Sequence, residues 1–327
     1  MNTGLYEKLF EEGCIRQETL NNIREKKRNQ LFSLHWELKS LLYLGVMLLS
    51  TGLGILIYKN IDTIGHQIIL AFIAAICIGC FYYCYRRKKP FNKEKVNSPD
   101  SLFDYLLLLA CLSFLIFVGY LQFQYSVFGT NYGLATFIPM LVLFYVAYDF
   151  DHLGILSMAI TNLGVWLGIS VNPMTLVSDI AESNGRPFIL TGLFLGLFLV
   201  LVAFLSERFH IKKHFHFTYL HFGTHVTFIA LLFGYFYDFE QEISILWIIL
   251  LLAFTWYIYN NAIRHKSFYF LLLCTIYSYI AISALVIHFL VKGNDLGAIY
   301  LGFFYFIVSA IGFIKVLIHL NKKVKSL

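Results

Sequence analysis

The chain alternates ten long apolar segments with short polar connections, and its basic residues fall almost entirely on one side of that alternation. Of its 25 lysines and arginines, 22 lie at the two ends or in every second connection, and the exceptions are Lys59, Arg186 and Lys292. Basic residues that flank membrane spans are retained on the cytoplasmic side. The sequence therefore predicts an integral membrane protein with ten spans and with both termini in the cytoplasm.

The apolar segments predict helices rather than the strands of a membrane barrel. Hydrophobic residues make up 59% of the chain and charged residues 13%, whereas soluble domains average about 45–50% and about 25%. A helical span needs about 20 apolar residues, and barrel strands would alternate polar and apolar positions. The fold class predicted is all-α, a polytopic membrane helix bundle of about ten transmembrane helices. The spans are Leu41–Tyr58, Ile64–Tyr85, Leu102–Leu121, Tyr132–Tyr148, Leu153–Val171, Phe188–Leu205, Phe217–Tyr237, Ile243–Tyr259, Phe268–Val291 and Leu296–Leu320.

Three regions follow from this pattern: a cytoplasmic helical hairpin at 1–39, the transmembrane domain at 40–320, and a basic cytoplasmic tail at 321–327. The hairpin is too short to bury a core of its own. We therefore expect residues 1–39 to pack on the membrane or on a protein partner.

The net charge of +6 describes orientation rather than nucleic-acid binding, because the excess of basic residues is confined to one face. Four consecutive basic residues, at 86–89, lie beside a span. Such a segment is typical of contact with anionic lipid headgroups. The expected partner is the lipid bilayer, and no nucleic acid is expected.

The N-terminal segment carries the pattern Leu9-x-x-x-Gly13-x-Ile15-x-x-Glu18-x-x-x-x-Ile23, followed by a basic helix and then a series of spans. In this it resembles the bacterial predicted membrane proteins grouped as domain of unknown function 2157, most clearly over the first 60 residues or so. The resemblance implies a multi-pass protein of the bacterial cytoplasmic (inner) membrane. It implies no activity, substrate or catalytic residue.

Polar residues at the ends of spans or inside them are candidates for function, because charge in a membrane is costly. The first candidate site is Asp149-Phe150-Asp151-His152, between the fourth and fifth spans, together with Asn162 inside the fifth. Two interpretations stand. The segment is either a tight cytoplasmic turn with solvated carboxylates or a broken or re-entrant element that brings the aspartates to membrane depth, as at the ion sites of carriers.

The second candidate site is a group of five histidines within residues 210–225. His221 and His225 are four residues apart and share one face of the seventh span, a geometry that can hold a metal ion or relay protons. With His214 they form a possible zinc site, and no other cofactor is expected. The alternative is an amphipathic interfacial loop around His210–His216, in which histidines alternate with lysines and phenylalanines.

Four glycines predict close helix packing. Gly164 and Gly168 in the fifth span, and Gly192 and Gly196 in the sixth, have the four-residue spacing that lets helix backbones approach closely. The sequence therefore predicts a tight contact between these two neighbouring helices.

Three functions fit the sequence. The first is a small secondary carrier or permease, since ten spans divide into two halves of five with opposite orientation, as inverted repeats require. The second is a membrane assembly, sensory or scaffold protein that acts through residues 1–39. The third is an intramembrane metal-dependent hydrolase that uses the aspartates and histidines. No nucleotide-binding fingerprint is present, which disfavours ATP-driven and nicotinamide chemistry.

Overall fold

The computed structural model describes residues 12, 15–19, 34–129, 132–171, 185–292 and 296–326. Helices dominate these residues, and none of them lies in a β-strand. The predicted all-α fold is therefore confirmed. Most of the predicted helical hairpin at 1–39 lies outside the described residues.

Ten helices follow one another along the described chain, one at the position of each predicted span. Their backbone hydrogen bonds are satisfied within each helix, which is the condition for crossing lipid. The helices are α1 Leu34–Ile64, α2 His66–Arg87, α3 Ser101–Tyr125, α4 Tyr132–Phe150, α5 Leu153–Val171, α6 Arg186–Arg208, α7 His216–Tyr237, α8 Ser244–Arg264, α9 Phe268–Lys292 and α10 Leu296–Ser326. A 3-10 turn at Lys213–Phe215 precedes α7.

Within the described residues, nine of these helices are long and apolar enough to cross a membrane. The remaining helix, α5, lies at its predicted position and contributes a shorter apolar stretch, Leu153–Gly168. Many large apolar side chains on the helices point outward, including those of Phe198, Ile249 and Phe303. Lipid is the solvent that such surfaces require, so the chain is a multi-pass membrane protein.

The chain forms two compact units, and the division does not fall between the fifth and sixth helices. The first unit comprises residues 1–84 and 100–113. Within it, α2 packs against the first half of α3 through small thiol side chains: Cys77 Sγ contacts the Ala110 carbonyl oxygen at 3.6 Å, and Cys84 Sγ contacts that of Phe103 at 3.8 Å. These cysteines are reduced and buried.

The second unit comprises residues 85–99 and 114–327 and holds both candidate sites. Its α4 and α5 form an antiparallel hairpin, in which Asn162 Nδ2 on α5 donates to the Thr136 carbonyl oxygen on α4 at 2.9 Å. Asn162 therefore ties the two helices of the hairpin together.

The closest helix contact around the four predicted glycines joins α6 to α7, and not α5 to α6 as the sequence predicts. A Cβ at Gly196 would lie 2.7 Å from the Thr227 backbone nitrogen, and one at Gly223 would lie 2.9 Å from the Gly196 carbonyl oxygen. Gly192 likewise faces α7, at Ala230. The reason is that α7 offers its own glycine, Gly223, opposite Gly196.

The two glycines of α5 take little part in this contact. A Cβ at Gly164 would meet Leu195 of α6 at an ordinary 3.7 Å, and no described heavy atom lies within 4 Å of one at Gly168. The spacing of glycines therefore predicts a face that permits close packing, but it does not predict which helix packs against that face.

Gly196→Ala is expected to destabilise the protein by about 1–3 kcal/mol, because the added methyl group meets backbone that cannot move aside. Gly168→Ala is the matched control, and its better helix propensity predicts no loss of stability. Thermal unfolding of both variants in detergent measures the difference. Equal melting temperatures would contradict the close approach of α6 and α7.

Candidate functional site

The Asp149–His152 segment is a tight turn between two continuous helices. Asp151 adopts a left-handed backbone conformation with φ of 59°, and the His152 N–H donates to the Ala147 carbonyl oxygen at 3.1 Å. His152 Nδ1 then accepts a hydrogen bond from the Ile155 N–H at 3.2 Å and caps the start of α5. The segment therefore has the turn geometry of the first interpretation, but its carboxylates differ from the solvated groups that the interpretation assumed.

Asp151 is buried and bound on both carboxylate oxygens. Its Oδ2 lies 3.1 Å from Lys212 Nζ, and its Oδ1 lies 2.5 Å from His214 Nε2. The Val96 N–H also donates to Oδ2. The side chains of Asp151 and Lys212 are each 1% exposed. We refer to Asp151, Lys212, His214 and the Val96 backbone as the Asp151 cluster.

Burial of two opposite charges is tolerated only when each finds partners that replace water. Lys212 has several: its Nζ donates to the Glu94 carbonyl oxygen at 3.5 Å and lies 4.9 Å from the centre of the Phe91 ring. Its own N–H donates to the Lys93 carbonyl oxygen at 2.8 Å. The α2–α3 connection, the α4–α5 turn and the α6–α7 connection are thus joined through one ion pair.

The α6–α7 connection is shaped to deliver Lys212 to this position. Lys212 has a left-handed backbone, with φ of 48° and ψ of 51°. Ser206 Oγ at the end of α6 donates to the Ile211 carbonyl oxygen at 2.9 Å and so fixes the loop. This conformation turns the lysine inward, although its neighbour Lys213 is exposed.

Asp149 forms a second ion pair at the same turn. Lys88 Nζ donates to its Oδ2 at 2.7 Å, in a partly exposed position. That hydrogen bond holds the pKa of Lys88 above its ordinary value. A raised lysine pKa stabilises the fold while the amine is charged, and this contribution is lost only as alkaline pH rises through the raised value.

The two predicted zinc-site histidines of α7 belong to a different network, which runs between α7 and α9. His221 Nδ1 lies 2.6 Å from the Tyr269 hydroxyl, and the same hydroxyl lies 3.1 Å from His225 Nε2. His225 Nδ1 in turn lies 2.8 Å from the Tyr277 hydroxyl. We name this series of four side chains the His–Tyr chain.

The His–Tyr chain begins near one end of α7 and α9 and reaches their middle. His221 lies in the second turn of α7, whereas His225 and Tyr277 each lie nine residues after the first residue of their helix. At 1.5 Å per residue that is about 14 Å, close to half of a hydrocarbon core of about 30 Å. The His–Tyr chain begins at the end of α7 that also carries the Asp151 cluster, since Lys212 and His214 lie just before α7.

The three histidines of the predicted zinc site belong to two different networks. His214 binds Asp151, and His221 and His225 bind tyrosine hydroxyls. Zinc binding by this set remains a prediction, and it would require both histidines of α7 to exchange those partners for the metal.

Lys88, Lys212, Tyr269 and Tyr277 are the residues that sequence reasoning missed. Tyr269 and Tyr277 are eight residues apart and so share a helix face, which matches the four-residue spacing of the histidines. With 22 tyrosines in the chain, that signal was not distinctive. Nothing in the sequence marks Lys212 as buried, because it stands next to another lysine in a basic loop.

The first part of the chain is similar to a known protein family. Residues 7–156 match the family described as "Predicted membrane protein (DUF2157)". The predicted resemblance is confirmed, and it extends well beyond the first 60 residues, through the α2–α3 connection and the α4–α5 turn. Lys212 and the His–Tyr chain lie outside it. Comparisons with curated proteins and with solved structures return no match.

Proposed function

We propose that the protein is a proton-coupled secondary carrier of the bacterial cytoplasmic membrane. The observation that supports this most directly is the His–Tyr chain, which holds four ionisable side chains in continuous hydrogen-bond contact within two membrane helices. Ionisable residues inside a membrane are costly, and they usually mark an ion or proton pathway.

The hydrogen bonds of the His–Tyr chain can all point in either of two directions along it. In one, the Tyr277 hydroxyl donates to His225 Nδ1, His225 Nε2–H donates to the Tyr269 oxygen, and the Tyr269 hydroxyl donates to His221 Nδ1. In the other, every donor and acceptor is exchanged. Both directions preserve the three hydrogen bonds of the His–Tyr chain, because neutral imidazole has one donor and one acceptor nitrogen and a phenol is both donor and acceptor.

Transfer of one proton converts one polarisation into the other. With His221 Nδ1–H donating to Tyr269, a proton that binds His221 Nε2 displaces the Nδ1 proton to Tyr269. The Tyr269 proton passes to His225 Nε2, and the His225 Nδ1 proton passes to Tyr277, whose own proton leaves to a solute or to water at mid-depth. One proton enters and one leaves, so no charge remains on the chain.

The Asp151 cluster and the Lys88–Asp149 pair act in this proposal as the closed gate at the end where the chain begins. They join three connections through charged contacts, and such contacts exchange between two arrangements when a carrier alternates its access. In this proposal Asp149 and Asp151 therefore form part of the gate. Proton coupling, for which the sequence suggested these two aspartates, is assigned to His221 and His225 instead.

The gate end faces the cytoplasm in this proposal, because 22 of the 25 basic residues lie on that side. In intact cells, a membrane-impermeant maleimide is expected to label Glu240→Cys and not Lys95→Cys; both positions are exposed in the structure. The unsubstituted protein is the control for its own cysteines. Labelling of Lys95→Cys and not of Glu240→Cys would show that the protein has the opposite orientation.

The carrier proposal is tested by reconstitution into liposomes that contain a trapped pH-sensitive dye. An imposed pH gradient is followed while amino acids, organic acids, sugars and lipophilic cations are added in turn. We expect one of these classes to dissipate the gradient faster than in empty liposomes. If the gradient dissipates at the same rate as in empty liposomes with each of the four classes, the proposal is contradicted.

The two other functions remain predictions. A scaffold role would depend on residues 1–39, most of which lie outside the described part of the chain. A metal hydrolase would need a metal site. The residues that could hold a metal ion in the structure, Glu207, His216 and His265, differ from the set that the sequence suggested.

A further inference from the structure

Three side chains at the gate end of the second unit converge from three different helices. Glu207 lies in the last turn of α6, His216 is the first residue of α7, and His265 caps the end of α8. One ligand atom from each of them lies within 4.8 Å of the other two. We refer to these residues as the Glu207 cluster.

The separations within the cluster match ligands of a shared cation better than an ordinary hydrogen bond. Glu207 Oε2 lies 3.6 Å from His216 Nδ1 and 3.7 Å from His265 Nε2, and an N–H···O hydrogen bond is usually 2.7–3.2 Å long. Tetrahedral zinc bonds of about 2.0–2.1 Å place adjacent ligand atoms about 3.4 Å apart. A small contraction would bring the carboxylate and the imidazoles to that spacing.

His216 Nδ1, the nitrogen that faces Glu207, also lies 2.9 Å from the Ala203 carbonyl oxygen. Without metal, this nitrogen carries a proton and donates it to that carbonyl; a nitrogen that binds metal must be deprotonated. Metal binding at Nδ1 would therefore exchange the Ala203 hydrogen bond for the ion, with the ring proton on Nε2. The His265 ring stands 5.5 Å from that of His216 at an angle of 33°.

We propose that Glu207, His216 and His265 bind one divalent transition-metal ion, with zinc as the preferred metal. Two imidazoles and one carboxylate are a known zinc ligand set that leaves a fourth position for water. His265 is 42% exposed, so the ion can enter from the solvent. Aspartates and histidines were predicted to bind metal, but the ligands proposed here are Glu207, His265 and His216, of which the sequence analysis noted only His216, as one of the five histidines within residues 210–225.

The proposed ion would tie the ends of α6, α7 and α8 together next to the Asp151 cluster. It would hold the first turn of α7, which leads into the His–Tyr chain, without being part of that chain. The proposal does not rest on carrier activity, because it concerns binding and stability alone.

The test is zinc binding to the full-length protein in detergent after removal of metal with a chelator. We expect isothermal titration to give one zinc ion per chain and the melting temperature to rise when zinc is added. Glu207→Gln and His265→Ala are each expected to weaken binding by at least about 100-fold, since loss of a direct ligand exceeds the 10–100-fold effect of an outer-shell change.

His210→Asn is the matched control. It removes another exposed histidine of the same loop, and asparagine tolerates the left-handed backbone found there. We expect it to bind zinc like the unsubstituted protein. The proposal is overturned if the protein binds no zinc, if Glu207→Gln and His265→Ala bind it normally, or if binding is instead lost only in His221→Ala and His225→Ala, which would restore the site predicted from the sequence.

Cobalt provides a second readout that a merely structural role would not change. Co²⁺ held by these three ligands and water gives visible absorption typical of four-coordinate geometry. The absorption is expected in the unsubstituted protein and in His210→Asn, and it is expected to be absent in Glu207→Gln. Equal spectra in all three proteins would overturn the proposal.

Discussion

Lys212→Met is expected to destabilise the protein by about 3–5 kcal/mol, the usual effect of removing one partner from a buried ion pair. Asp151 would keep its charge in a position where its side chain is 1% exposed, with His214 and the Val96 N–H as its remaining partners. Methionine has nearly the same length and flexibility as lysine, so the substitution removes the charge and keeps most of the packing. Thermal and denaturant unfolding in detergent measure the loss.

Lys213→Met is the matched control for this prediction. Lys213 is the next residue in the same loop, but its side chain is exposed, so its loss is expected to change stability by less than about 0.5 kcal/mol. A protein in which the two substitutions have equal effects would have no buried ion pair at Lys212.

Addition of Asp151→Asn to Lys212→Met separates the ion pair from other roles of the lysine. Removal of both charges avoids the unpaired carboxylate, and replacement of a whole buried pair is often nearly neutral. We expect the double variant to be at least about 1 kcal/mol more stable than the sum of the two single effects predicts. Strict additivity would show that Lys212 and Asp151 act independently.

Tyr269→Phe is expected to lower the solute-dependent proton flux in liposomes by at least about 100-fold, comparable to the loss of a positioned proton donor in an enzyme. The Tyr269 hydroxyl is the one group of the His–Tyr chain that contacts both histidines. Phenylalanine keeps the ring and its packing against Phe217, so the fold is expected to persist while the chain is broken.

Tyr279→Phe provides the control, because it removes a hydroxyl from the same helix outside the chain. That hydroxyl lies 3.1 Å from Ser309 Oγ on α10. Flux in this variant is expected to stay within about twofold of the unsubstituted protein. If Tyr269→Phe carries protons at the same rate as Tyr279→Phe, the His–Tyr chain is not the proton pathway, although the protein could still be a carrier.

Several features of the fold followed from the sequence because they depend on local composition. The helices lie where the apolar runs predict them, since a backbone in lipid must satisfy its hydrogen bonds within each segment. The alternation of basic connections also predicted which loops share one side. The contacts of the 88–96 segment with Asp149, Asp151 and Lys212 agree with that grouping.

The candidate site was only partly predictable for a related reason. Asp149, Asp151, His221 and His225 are conspicuous because polar residues are rare in apolar runs. Their partners are not conspicuous: Lys212 is one of many lysines, and Tyr269 is one of many tyrosines. The helical face of each histidine was set by its spacing, but the hydroxyl opposite each histidine was set by the packing of α7 against α9.

The glycines give the same lesson for helix packing. Four-residue spacing in α6 correctly marks a surface that permits close approach. Whether that surface meets α5 or α7 depends on the small residue that stands opposite, and Gly223 of α7 lies 27 residues from Gly196 in the chain.

The sequence by itself determined a polytopic all-α membrane protein, because hydropathy acts on each segment separately through its transfer into lipid, and its basic residues predict the side on which the connections that carry them lie. Only the tertiary structure decided that Asp151 is buried against Lys212, that the histidines of α7 contact tyrosines of α9, and that Glu207, His216 and His265 converge. Those arrangements depend on the rotation and pairing of helices, which are set by the complementarity of side chains distant in the chain.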